Sequence, residues 1–209
     1  MGAIIYGAQR LGKSSYAAQA LYEIYKDWDV VNDHILFKLE DVVGVMKTAI
    51  HKRKKIPAIC WDDAGVHANK LLYFQNRELV QYLQNLTDVI GINLGALLIT
   101  TPNPLNLLRA IRGYEFYRVK VYRRDDFNGR TAVGYRSSML PSGMRTIRRM
   151  WHDNYKVRLP DAFWKKYMVK RQGYLDEAIS QLENLANRRN DPKEIQPSPI
   201  GIGSYDDDE

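Results

Sequence analysis

The sequence predicts an α/β fold, a mostly parallel sheet of five strands with helices on both faces. Three observations predict it. Short apolar, β-rich runs alternate with helix-like segments from residue 3 to about residue 122, the order in which crossover units build a parallel sheet. A glycine-bounded loop ending in Lys13-Ser14 follows the first of these runs directly. A pair of carboxylates, Asp62-Asp63, ends a later one.

Taken in order, Ala3–Tyr6 is the first strand, and Ser14–Lys26 has good helix formers with no Gly or Pro. Val30-Val31 through Ile35-Leu36-Phe37 reads as a second strand region, interrupted by Asn32-Asp33. Glu40–Lys52 is helical, with Val42, Val45, Met46 and Ala49 on one face at three- and four-residue spacing. Pro57–Trp61 has the composition of a buried strand. Residues 76–90 return to helical spacing through Leu79, Leu83, Leu86 and Ile90, and Leu94–Ile99 is a further strand. Leu105–Ile111 is a short helix and Phe116–Tyr122 the fifth strand.

Beyond residue 122 the pattern changes. Asn128-Gly129 between two β-rich runs signals a hairpin, either added to the sheet edge or standing as a separate ribbon. Residues 144–160 are basic and irregular, and helices follow at about Asp161–Arg171 and Tyr174–Arg188, separated by Gly173. The sequence therefore divides into a core over 1–122, a hairpin and basic helical appendage over 123–189, and an acidic tail over 190–209 that reads as disordered.

Composition narrows the function. At 45% hydrophobic and 26% charged residues the chain is globular. No apolar run reaches the ~18 residues of a membrane span, and no secretory pattern opens the chain, so a soluble, cytoplasmic protein is expected. The single cysteine, Cys60, excludes an internal disulfide or a cysteine-ligated metal cluster, and the four histidines lack metal-ligand spacing. The net charge of +7 is uneven: residues 105–171 carry 17 Lys and Arg against 5 Asp and Glu. Such a block suits a polyanionic partner, nucleic acid first.

Gly7-Ala8-Gln9-Arg10-Leu11-Gly12-Lys13-Ser14 matches G-x-x-x-x-G-K-[ST], with Ser15 next on the helix. Its glycines let successive backbone N–H groups turn inward on phosphate oxygens, and the helix N-terminus adds its positive end. Lys13 would reach the β- and γ-phosphates and Ser14 would place a hydroxyl on Mg²⁺. Asp62, at the end of an apolar strand, would hold the same ion. Asp63 would polarise the attacking water, although it is one methylene shorter than a glutamate. Thr100 or Thr101, at the end of Leu94–Ile99, would face the γ-phosphate, with Thr101 taken as the catalytic candidate. Arg112, with Arg109 second, is the candidate for neutralising charge in the transition state. Between 144 and 174 bases alternate with aromatics such as Trp151, Tyr155, Trp164 and Tyr167, a mixture that suits either a small core or nucleic-acid contact. The hairpin arginines Arg123, Arg124, Arg130 and Arg136 offer a second ribbon for DNA.

With these residues placed, Gly7–Ser14, Asp62-Asp63 and Thr100-Thr101-Pro102 resemble the P-loop ATPases that carry an additional strand and a catalytic acid, the ASCE division. The stretches Trp61–His67, Thr100–Pro104 and Leu108–Arg112 are similar to small ATPases of archaeal plasmids and viruses, related in general form to DNA-pumping and DNA-packaging ATPases. The resemblance covers residues 1–122. It implies a P-loop NTPase three-layer fold with strand order 5-1-4-3-2, ATP and Mg²⁺ as cofactors, a homo-oligomeric ring and work on DNA. The expected function is an ATPase coupling hydrolysis to genome packaging, transfer or replication. A slow ATP-dependent switch that recruits a protein is the alternative, and a small-molecule kinase a third.

Overall fold

The computed structural model describes residues 2–64, 81, 85, 93–107, 111, 112, 114, 116–124 and 129–189. It forms two compact units, the first running to Arg171 and the second from Gln172 onward.

The first unit is built on β1 (Gly2–Tyr6), α1 (Lys13–Tyr25), α2 (Trp28–Asp33), β2 (Ile35–Leu36), α3 (Leu39–His51), β3 (Ile56–Trp61) and β4 (Leu94–Thr101). It continues with β5 (Tyr117–Arg123), β6 (Gly129–Met139), β7 (Arg145–Lys156) and the start of α4 (Asp161–Arg189). One seven-stranded sheet has the order β2-β3-β4-β1-β5-β6-β7. Its first five strands are parallel and keep the expected order 5-1-4-3-2. The hairpin extends that sheet: β5 pairs antiparallel with β6, and β6 with β7.

The core follows from the alternation of strand side chains. Ile4, Ile59, Trp61, Leu97 and Ile99 cluster with Leu39, Val42, Val43 and Met46 of α3. α1 lies along β1, β3 and β4, burying Ala17, Ala18 and Leu21; these small side chains bring the helix close to the sheet. Right-handed crossovers that run in opposite directions along the sheet put α1 and α3 on opposite faces.

Four expectations need correction. The second strand region is mostly helix: Asp27 accepts hydrogen bonds from the Asp29 and Val30 amides and starts α2, which leaves only Ile35–Leu36 as strand. This N-cap outweighs the β-preference of Val30-Val31. Residues 145–156 form the regular strand β7, paired with β6 along its whole length. Gly173 does not divide the last helix, which runs unbroken for 29 residues; a helical glycine costs only ~1 kcal/mol against alanine. The short helix after β4 begins as a single 3-10 turn, Pro104–Asn106, with Asn103 capping Leu105. Of the expected helix over 76–90 only residues 81 and 85 are described, both helical, and Asn128 and the tail over 190–209 lie outside the described residues.

Candidate nucleotide-binding site

β1 ends at Tyr6 and the chain enters the loop at Gly7. Gly12, at φ 85, ends the loop and starts α1. A side chain there would meet Val157 at 3.0 Å in a backbone conformation that only glycine adopts freely. Arg10 also has positive φ, 62°, although it carries a side chain. Lys13 folds back over the loop and donates to the Ala8 carbonyl at 2.9 Å. Burial lowers its pKa, against the nearby carboxylates of Asp63 and Asp62 that favour its charge. A half-desolvated ammonium at the N-terminus of a helix is a receptor for an anion.

The acids arrive from β3, two strands away, at the same end of the sheet. Asp62 follows the last residue of β3 and is buried. Its Oδ1 accepts from Ser14 Oγ at 2.9 Å and from Thr100 Oγ1, and its Oδ2 accepts from the Tyr167 hydroxyl at 2.6 Å. Burial pushes the Asp62 pKa up and Asp63 adds to the effect, while the hydrogen bonds from Thr100, Tyr167 and Ser14 oppose it. Asp63 turns away from the strand at φ 52. Its amide donates to Thr100 Oγ1 at 2.9 Å and its Oδ2 accepts from Arg171 Nη2 at 2.7 Å.

β4 stands between β1 and β3, which puts its last residues between cradle and acids. Of the two threonines, Thr100 makes the connection, because its hydroxyl donates to Asp62 and accepts from the Asp63 amide. Thr101 alternates away, and its hydroxyl donates to the Asn103 carbonyl at 3.1 Å. Arg112 also stands apart. Its carbonyl accepts from Arg118, a β5 residue in register with Ile4 in the middle of β1, away from the loop end. Arg109 lies outside the described residues. Among the described residues the arginine that reaches the acids is Arg171, on α4.

The rear of the loop is closed by β7. The Tyr155 hydroxyl donates to the Gly12 carbonyl at 3.0 Å, and its ring lies 5.0 Å from that of Tyr16 on α1. Tyr16 in turn donates to Asp153 and accepts from Trp151 Nε1. Sequence reasoning missed Tyr167, Arg171 and Tyr155 as site residues. Each is brought in by a contact more than 100 residues long. The only local signal was the i, i+4 spacing of Tyr167 and Arg171.

The residues present fit a magnesium-bound nucleoside triphosphate. The Ser14 hydroxyl and Asp62 carboxylate are hard oxygen donors suited to Mg²⁺, and they already touch each other. The loop and Lys13 supply the donors and charge that a triphosphate needs. Among the described residues no group of three or more His, Cys, Asp and Glu is placed to hold a metal ion, and no helix is long and apolar enough to cross a membrane.

Fold and site together are a mostly parallel α/β sheet with a G-x-x-x-x-G-K-S loop, a threonine and two adjacent acids at the carboxyl ends of its strands. The chain's relatives in sequence come from archaeal viruses. The chain is 27% identical to the uncharacterized protein B-251 of Sulfolobus spindle-shape virus 1, over 99% of its own length and 86% of that protein. It is 28% identical to the uncharacterized protein ORF286 of Acidianus two-tailed virus over 70% of its length, and spans about half of that protein, 52%. A KaiC-like protein from the hyperthermophilic archaeon Pyrococcus horikoshii OT3 aligns over 72% of this chain and 89% of its own at 12% identity, with a TM-score of 0.39. No protein-family model matches.

Proposed function

We propose that the chain binds ATP with Mg²⁺ at Gly7–Ser15 and hydrolyses it to drive the handling of DNA. The observation that carries the reading is the convergence of Lys13, Ser14, Asp62, Asp63 and Thr100 at one end of the sheet. In this reading Lys13 leaves the Ala8 carbonyl for the β- and γ-phosphate oxygens, and the loop amides of Ala8 to Lys13 hold the phosphates. Ser14 and Asp62 would hold Mg²⁺, which when bound neutralises charge on the phosphates. Asp63 accepts the proton of the attacking water. Thr100 keeps the two acids in fixed relation through its single hydroxyl. ATP is preferred over GTP because the sequence lacks an Asn/Thr-Lys-x-Asp base-reading motif.

The DNA part of the reading draws on β5–β7. Their register aligns Lys120, Tyr122, Tyr135, Arg149 and His152 on one sheet face, where Lys120 Nζ sits 4.9 Å from the Tyr122 ring centre. Basic groups beside aromatic rings suit phosphate contact with base stacking. A homo-oligomer, as in ring-forming motors, belongs to the same proposal. The test is phosphate release with and without duplex DNA. Wild type should turn over ATP faster with DNA, Asp63→Ala should lose turnover while still binding nucleotide, and Lys13→Ala should lose both. DNA affinity should fall steeply with salt; a flat salt response removes the DNA role.

One observation favours a second reading, a slow switch. Asp63 is held in an ion pair by Arg171, which withdraws the carboxylate that would activate water. In that case ATP binds with little turnover, and DNA changes nothing.

A further inference from the structure

Binding and hydrolysis of ATP do not require that both acids already be engaged, yet α4 engages both. Tyr167 donates to Asp62 Oδ2 and Arg171 to Asp63 Oδ2. Four residues apart, they lie one turn above the other on one face of the helix, and each meets one of two adjacent carboxylates. Ser14 donates to the other oxygen of the same Asp62 carboxylate. The phenol therefore occupies one edge of the carboxylate suited to Mg²⁺. Arg171 Nε is buried with no hydrogen-bond partner, and the guanidinium is near enough to Lys13 to disfavour its charge. The guanidinium thus sits in an anion site with a donor to spare. The same turns of α4 are docked on α2 and β2 by separate contacts. The rings of Phe163 and Trp28 lie 4.9 Å apart, and Lys170 Nζ donates to the Asn32 and Ile35 carbonyls at 3.0 and 2.6 Å.

We propose that Tyr167 and Arg171 are positioning residues that hold Asp62 and Asp63 in the nucleotide-free protein and release them when Mg·ATP loads, so that α4 reports the state of the site. The proposal rests on the nucleotide reading above. Its physical basis is competition. A carboxylate edge that accepts a phenol hydrogen bond is less available to the metal and its water shell, and an arginine tied to Asp63 is not on phosphate.

Tyr167→Phe isolates the effect, because the ring keeps its neighbours Phe37, Phe163 and Trp164 while the hydroxyl is lost. The full chain is titrated with ATP by calorimetry, once with Mg²⁺ and once with EDTA. Removing the donor leaves Asp62 under-satisfied in the empty state, so the variant should bind Mg·ATP about tenfold tighter than wild type. Metal-free ATP should bind the two within about twofold of each other. In wild type, backbone amides of residues 161–171 should exchange hydrogen faster with Mg·ATP than with ATP and EDTA. Unchanged or weaker Mg·ATP binding by Tyr167→Phe would mean that the phenol merely supports Asp62, and would overturn the proposal while leaving the nucleotide site intact. Slowed or unchanged exchange over 161–171 would do the same. Failure of wild type to bind ATP under either condition would overturn the nucleotide reading itself.

Discussion

Asp62 is buried with a second carboxylate beside it, and both conditions raise its pKa above the ordinary carboxylate range. The folded state therefore binds the Asp62 proton more tightly than the unfolded chain does. Its ionisation weakens the fold as pH rises from the ordinary carboxylate range through the raised folded value, and the stability is recovered as pH falls. Asp62→Asn removes this ionisation and keeps an oxygen for Thr100 and Ser14. We expect the variant to be at least as stable as wild type in urea at neutral pH without metal, with a flatter stability–pH profile through the acid range, and to lose Mg·ATP binding. Such a trade of stability for function marks a site residue rather than a structural one. Gly12 shows the converse case. Gly12→Ala places a methyl at 3.0 Å from Val157 with φ at 85, and we expect a loss of ~1–2 kcal/mol, seen as a drop of a few degrees in thermal melts. Val157→Ala should recover only the steric part, because the backbone strain remains. At this scale the sequence was legible where chemistry is local. The spacing of Gly7, Gly12, Lys13 and Ser14 and the adjacency of Asp62 and Asp63 are written in the chain. The choice between Thr100 and Thr101 was not, since it depends on which neighbour faces β3.

Among elements, β7 was the least visible. Arg145, Arg148 and Arg149 obscure its alternation, and its partners are on β6 and α1 rather than in a core of its own. A register shift at Gly134/Tyr135 leaves Met150 without a partner, beside Trp151, whose ring lies where a Gly134 side chain would be. A bulge beside a glycine that admits an aromatic ring is a built feature. Gly134→Val should expel the indole, loosen the contact of Trp151 with Tyr16 and lower stability by ~2 kcal/mol or more. Trp151→Ala should partly restore it, and near-ultraviolet circular dichroism together with melting would show both. α2 was misread for a related reason: its start depends on the Asp27 cap, and propensity alone pointed to strand. The hairpin signal of Asn128-Gly129, by contrast, is local, and β5 and β6 do pair around it, with Val121 opposite Ala132.

For the whole molecule, strand order was legible through resemblance rather than through pattern, because periodicity identifies strands but not their neighbours. That β1 and β3 would be separated by β4 followed from the class of phosphate loop and acid, and the structure has that arrangement. A site assembled from loop, sheet end and α4 should tie global stability to its ligand. Mg·ATP at about 100 times its Kd should add ~2.7 kcal/mol and raise the melting temperature by several degrees, a shift that Lys13→Ala should abolish. The sheet that carries the site also has a long flank. Among the described residues β7 stands last in the order, with 12 residues and no strand on its outer side, so its hydrogen-bonding groups there could receive an extended chain. Exposed Arg148 and Arg149 and the register shift at Met150 work against uninvited pairing there. Trading those two arginines for threonine would remove that guard, and the cost would appear as self-association at high concentration even while the phosphate loop stayed whole.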